Sequence, residues 1–127
     1  MIIEDYVSFE VAKLLKEKGF NKECLGTYST DNKELNISSE CPYSNDLNDD
    51  MFIAAPTLQM AMKWLRRLYW LNMYPKYSKW SNKWSIVILS LDDREIIKGN
   101  TAIQIDGFVS YEEAVNEGIK YCLTNLI

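Results

Sequence analysis

All four tryptophans of this 127-residue chain, Trp64, Trp70, Trp80 and Trp84, fall in one stretch that also holds Tyr69, Tyr74, Tyr77 and the cations Arg66, Arg67, Lys76, Lys79 and Lys83. Flat rings stack on nucleobases or on a partner's side chains, and ammonium or guanidinium groups neutralise phosphates or carboxylates. Rings interleaved with cations therefore make a gripping surface. Within this run the rings divide. Trp64 and Trp84 are expected to serve as core filling, because large aromatics are mostly buried. Trp70 shares a predicted helix face with Lys63 and Arg67, while Trp80 stands between Lys79 and Ser81 beside a predicted turn. The candidate binding residues are Lys63, Arg66, Arg67, Trp70, Lys76, Lys79, Trp80 and Lys83.

The charge pattern marks the same stretch. The net charge of −4 is made of −6 over Met1 to Pro56, +5 over Thr57 to Asn100 and −3 over Thr101 to Ile127. A basic middle between acidic flanks either receives an anionic partner or pairs with its own flanks. Other chemistry has little material. The chain has no histidine, which removes the commonest general base and the commonest transition-metal ligand. Cys24, Cys41 and Cys122 are far apart and form no C-x-x-C pair, a spacing that suits neither a disulfide framework nor a zinc site. Asp46, Asn48 and Asp50 stand at the first, third and fifth positions of a calcium loop. That pattern then needs glycine where Met51 stands and glutamate where Thr57 stands, so a solvated acidic loop is expected. Asp92, Asp93 and Glu95 follow a strand and read as a turn, with no partner motif for acid–base work. The expectation is a chain with no catalytic residue, metal or cofactor.

The elements that must carry these residues can be read in order. Ser8 to Lys18 predicts a helix, capped by Ser8 and stopped by Gly19, with Phe20 folding back on Leu15. Its inner face is Val11, Leu14, Leu15 and the stem of Lys18. Leu25 to Ser29 and Glu34 to Ile37 predict two short strands around a turn at Asp31-Asn32, followed by a loop over Ser44 to Asp50. A second helix runs from Pro56 or Thr57 to Trp70, with Leu58, Ala61, Met62, Leu65, Leu68 and Tyr69 on one side. Strands follow at Met73 to Ser78, Lys83 to Leu91 and Thr101 to Phe108, the middle one apolar on both faces as a central strand would be. Ser110-Tyr111-Glu112-Glu113 is a capping box for a last helix, whose Gly118 marks a close crossing. The expected fold is α+β, a single domain over residues 1–127. It has three helices packed on one face of a mainly antiparallel sheet, in the order α-ββ-α-βββ-α.

Three segments, EDYVSFEVAKLLKEKGF, APTLQMAMKWLR and SYEEAVNEGIKYCL, resemble a family of uncharacterised small proteins from gut anaerobic bacteria and their prophages. The resemblance implies a cytoplasmic protein tied to a phage or mobile element and transfers no functional residue. The order from Thr57 to Asn125 also resembles a double-stranded-RNA-binding domain. The acidic start of the last helix, Glu112, Glu113 and Glu117, opposes phosphate there. The leading expectation is a small non-enzymatic interaction module that engages a protein partner or a second copy of itself. The alternative is single-stranded nucleic-acid binding through the basic-aromatic segment 63–84. No signal peptide or membrane span is legible, so the expected location is the cytoplasm.

Overall fold

The computed structural model describes residues 3–91 and 102–127, and the Asp92, Asp93 and Glu95 cluster lies outside them. The chain divides into two compact units, the first ending at Gln59 and the second beginning at Met60.

In the first unit, α1 (Phe9–Glu17) forms where the sequence signals are local. The Ser8 hydroxyl accepts the Val11 amide at 3.3 Å, satisfying one of the unpaired donors of the first turn. Gly19, at φ 90°, ends the helix in the left-handed region, and the Phe20 and Gly19 amides return to Leu15 O and Lys16 O. Phe20 and Leu15 are both buried, as this cap requires. The inner face is Val11, Ala12 and Leu15; Lys18 is exposed.

Three short antiparallel strands follow, β1 (Gly26–Ser29), β2 (Leu35–Ile37) and β3 (Phe52–Ala55), in the order β2-β1-β3. The turn between β1 and β2 places Lys33, not Asp31 or Asn32, at positive φ, while the Asn32 side chain accepts the Glu34 amide. The reason is that an Asx turn occupies Asn32 itself and passes the left-handed position to the next residue. Strand β3 is absent from the sequence-based expectation. Its Phe-Ile-Ala-Ala run is short and has no alternation. It is held from outside, by β1 along one edge and by Asn45, whose carboxamide oxygen accepts the Ala54 amide. Helix α1 packs on this strand. Gly26 is required in β1, because a Cβ there would meet Ala55 O at 2.7 Å and the Tyr6 ring at 2.9 Å. The expected acidic loop contains a 3-10 turn, Asn45–Leu47, capped by Ser44.

Helix α2 (Leu58–Tyr69) buries Leu58, Ala61, Met62, Trp64 and Leu65 and exposes Lys63 and Arg67. Two expectations fail at its end. Leu68 is 55 % exposed, and Trp70 is not on the helix at all. Trp70 adopts φ 57° and turns the chain directly into β4 (Leu71–Ser78), its carbonyl accepting the Leu91 amide at 2.8 Å. Strand β4 is therefore two residues longer at its start than expected.

Strands β4, β5 (Lys83–Ser90) and β6 (Ile103–Phe108) form an antiparallel meander. One face carries Met73, Ile86, Ile88, Ile103 and Ile105, and α3 (Tyr111–Tyr121) lies against it. The Ser110 hydroxyl accepts the Glu113 amide, and the Glu113 carboxylate accepts the Val109 amide, so the predicted box closes one residue further back. Ala114, Val115, Gly118 and Ile119 are buried, and the helix runs on into a π turn, Cys122–Leu126, that buries Leu123. The expectation of one sheet is corrected to two three-stranded antiparallel sheets in an α+β chain, in the order α-βββ-α-βββ-α. No described helix is long and apolar enough to cross a membrane.

A Cβ on Gly118 would sit 2.7 Å from Ile86 Cγ1 and 3.2 Å from Met73 Sδ. Gly118→Ala gains roughly 1 kcal/mol of helix propensity, but the branched Ile86 is fully buried and cannot swing aside. Overpacking of this kind costs about 1–3 kcal/mol. The variant should therefore show a lower midpoint in urea denaturation than the parent protein.

Candidate functional site

The face of the second sheet opposite α3 is built by strand alternation. Ile86 points at α3, so Ser85 and Val87 point away from it. The pairs Lys76↔Ser85 and Ser78↔Lys83 bring two lysines and two serines onto this face, and Gln104 pairs with Val87. The register then shifts between Trp84 and Ile86, so that Asp106 and Gly107 together oppose Ser85. Gly107 takes φ 97°, which a bulge of this kind requires and which side-chain-bearing residues rarely adopt. The bulge aims Asp106 at Ser85, whose hydroxyl donates to Oδ1 at 2.6 Å.

These residues line an open groove of about 730 Å³, walled by Lys76, Lys83, Ser85, Gln104 and Asp106 and by the β4–β5 turn with Lys79 and Trp80. The turn is closed by the Asn82 amide bonding Ser78 O at 2.9 Å, with Asn82 at φ 54°. That hairpin holds Trp80 away from its own chain, with 99 % of its surface exposed. Three ammonium groups thus share the groove with one carboxylate. Asp106 is held below the usual carboxylate range by the Ser85 hydroxyl first, then the Gln104 amide, with Lys76 adding attraction. The carboxylate therefore acts as an ionised acceptor at neutral pH.

Of the eight candidate residues, the structure gathers Lys76, Lys79, Trp80 and Lys83 around this groove. Lys63, Arg66 and Arg67 stay on α2, and Trp70 stands 44 % exposed at its end, outside the groove lining. Trp64 is buried at 5 % exposure. Trp84 is half-buried between the rings of Tyr77 and Tyr111, 5.1 and 5.6 Å away. Sequence reasoning missed Ser85, Gln104 and Asp106 as site residues. Their available signal was the outward phase of Gln104 and Asp106 along β6, together with a glycine inside a strand.

Among the described residues, no group of three or more cysteine, aspartate or glutamate side chains could hold a metal ion. The Asp46–Asp50 segment is tied to its neighbours in the chain and to the β1–β2 turn: Ser44 Oγ accepts the Asp46 amide, Asp49 Oδ1 accepts the Met51 amide, and Asp50 O accepts the Thr30 hydroxyl. Comparison with protein-family models, with curated proteins and with solved structures finds no match for this chain.

The cysteines form no disulfide, and burial pushes the Cys24 and Cys122 thiols up to about 12, whereas Cys41 is exposed. A thiol is reactive as thiolate, so an aromatic disulfide reagent near pH 8 should label Cys41 rapidly and the other two only after denaturation. Mass spectrometry of the labelled native protein reads this as a single adduct.

Proposed function

We propose that this chain is a non-enzymatic binding module whose β4–β5 groove takes single-stranded nucleic acid. The observation that carries the reading is the fully exposed Trp80 ring at the rim of a groove lined by Lys76, Lys79 and Lys83. A stacking ring beside a lysine-lined track matches what sequence-tolerant strand binders use. The exposed Tyr74 ring, on the same sheet face one row beyond Lys76, extends that platform. Protein interfaces are depleted in lysine, which makes this groove a poor match for a protein partner. The phage or mobile-element setting implied by the sequence resemblance is compatible with strand binding and contributes nothing to its support.

A protein partner or a second copy remains the second reading, favoured by a different place. Leu68, Trp70 and Leu91 are 55 %, 44 % and 49 % exposed, and the last two are joined by the Leu91 amide to Trp70 carbonyl bond. Sedimentation of the protein and of Leu91→Asp tests the second-copy form of this reading: a dimer dissociated by that change supports self-association, and a monomer at all concentrations removes self-association.

For the leading reading, three lysines on phosphates give a plot of log affinity against log salt with a slope of about −2. Each of Lys76→Ala, Lys79→Ala and Lys83→Ala should flatten that slope by about 0.7. Trp80→Ala should weaken binding of a mixed oligonucleotide pool by about 1–3 kcal/mol. Its thermal stability should be unchanged, since the ring contributes no burial. Absence of binding to the pool at low salt would sink the proposal.

A further inference from the structure

Phosphate binding does not explain Asp106. Within a groove that receives a polyanion, an ionised carboxylate repels the backbone, so its presence among three lysines calls for a different contact. Its position is also defined by two hydrogen bonds. Ser85 is 7 % exposed and fixed in the central strand, and its hydroxyl meets Asp106 Oδ1 at 2.6 Å. Gln104 Nε2 meets the same oxygen at 2.8 Å. Those two bonds use both lone-pair sites of Oδ1 and leave Oδ2 an acceptor with no donor function, while the Gln104 carbonyl oxygen is an acceptor as well.

A cluster of acceptors discriminates among nucleobases by their donors. The Watson–Crick edge of guanine presents two adjacent donors, N1–H and the N2 amino group. Adenine and cytosine present one amino group beside a ring acceptor, and thymine and uracil present one N–H between two carbonyls. Asp106 Oδ2 and the Gln104 carbonyl oxygen together offer two acceptors to the first pattern, and the carboxylate repels the flanking ring acceptors of the others. We infer that Asp106, positioned by Ser85, Gln104 and the bulge at Gly107, makes the groove select guanine in a single strand. Phosphates then lie along Lys76, Lys79 and Lys83, and Trp80 stacks on a base. This inference rests on the nucleic-acid reading of the groove.

The test uses fluorescence anisotropy with short thymidine-rich oligonucleotides carrying isolated guanines, adenines or cytosines, and a thymidine-only strand. The guanine strand should bind about tenfold more tightly than the others. Inosine, which lacks the N2 amino group, should lose part of that preference. Asp106→Asn turns an acceptor into a donor and removes a negative charge. It should erase the guanine preference and strengthen binding of the thymidine-only strand. Equal affinity for all strands, or a preference that survives Asp106→Asn, overturns the inference and leaves strand binding standing. Failure of every strand to bind at low salt overturns both.

Discussion

Helix α3 approaches β5 so closely that the crossing point admits no side chain, and the character of the second unit follows from that contact. With Gly118 over Ile86 and Met73, the residues of β5 in phase with Ile86 are committed to the helix-covered face. Strand side chains alternate, so Lys83, Ser85 and Val87 are committed equally firmly to the other face. A slip of one residue would exchange the two sets, putting Lys83 and Ser85 under the helix and Ile86 and Ile88 in the groove. The groove is polar and cationic because, at this end of β5, the residues out of phase with the helix-covered face are Lys83 and Ser85.

Electrostatics makes this local arrangement matter more than the net charge. A chain of −4 would repel a polyanion if its charges acted together. At physiological ionic strength the screening length is about 8 Å, so a bound strand responds chiefly to the groups beside it. Those are Lys76, Lys79 and Lys83, with Asp106 in the same lining. The carboxylate is the part of the site that affinity alone would dispense with. On the proposed reading, its two donors and the bulge that aims it make it a discriminating group, for the same reason that a hydrogen-bonded pocket rejects ligands lacking the matching polarity.

How much of this could be read in the sequence depended on whether the cause was local. The cap at Ser8, the Gly19–Phe20 stop and the Ser110–Glu113 box involve residues within a few positions of one another, and each formed close to where expected. Gly118 was legible as a crossing because mid-helix glycine has few other uses. Strand β3 was not legible, since its four residues become a strand only beside β1 and Asn45. Without that strand, the division into two sheets was hidden too. Of the residues in the basic-aromatic run, Lys76, Lys79, Trp80 and Lys83 come together around the groove through the β4–β5 hairpin, while Lys63, Arg66, Arg67 and Trp70 lie outside its lining. Ser85, Gln104 and Asp106 enter the groove through sheet register, which no single segment encodes.

The two exposed tryptophans reach the surface for different reasons. Trp70 is held by its backbone: it bears a left-handed φ of 57°, a conformation costing a non-glycine residue about 1–2 kcal/mol, and its carbonyl is tied to Leu91. Its location is thus a consequence of joining α2 to β4 without a loop, and the ring goes where that junction sends it. Trp80 is under no such compulsion. The left-handed position of its hairpin is taken by Asn82, a residue suited to it, and the turn would close with any side chain at position 80. A ring that contributes nothing to folding and is 99 % exposed is an expense in solubility with no return inside the chain. On the proposed reading, binding supplies that return for Trp80, whereas for Trp70 chain geometry is already a sufficient account.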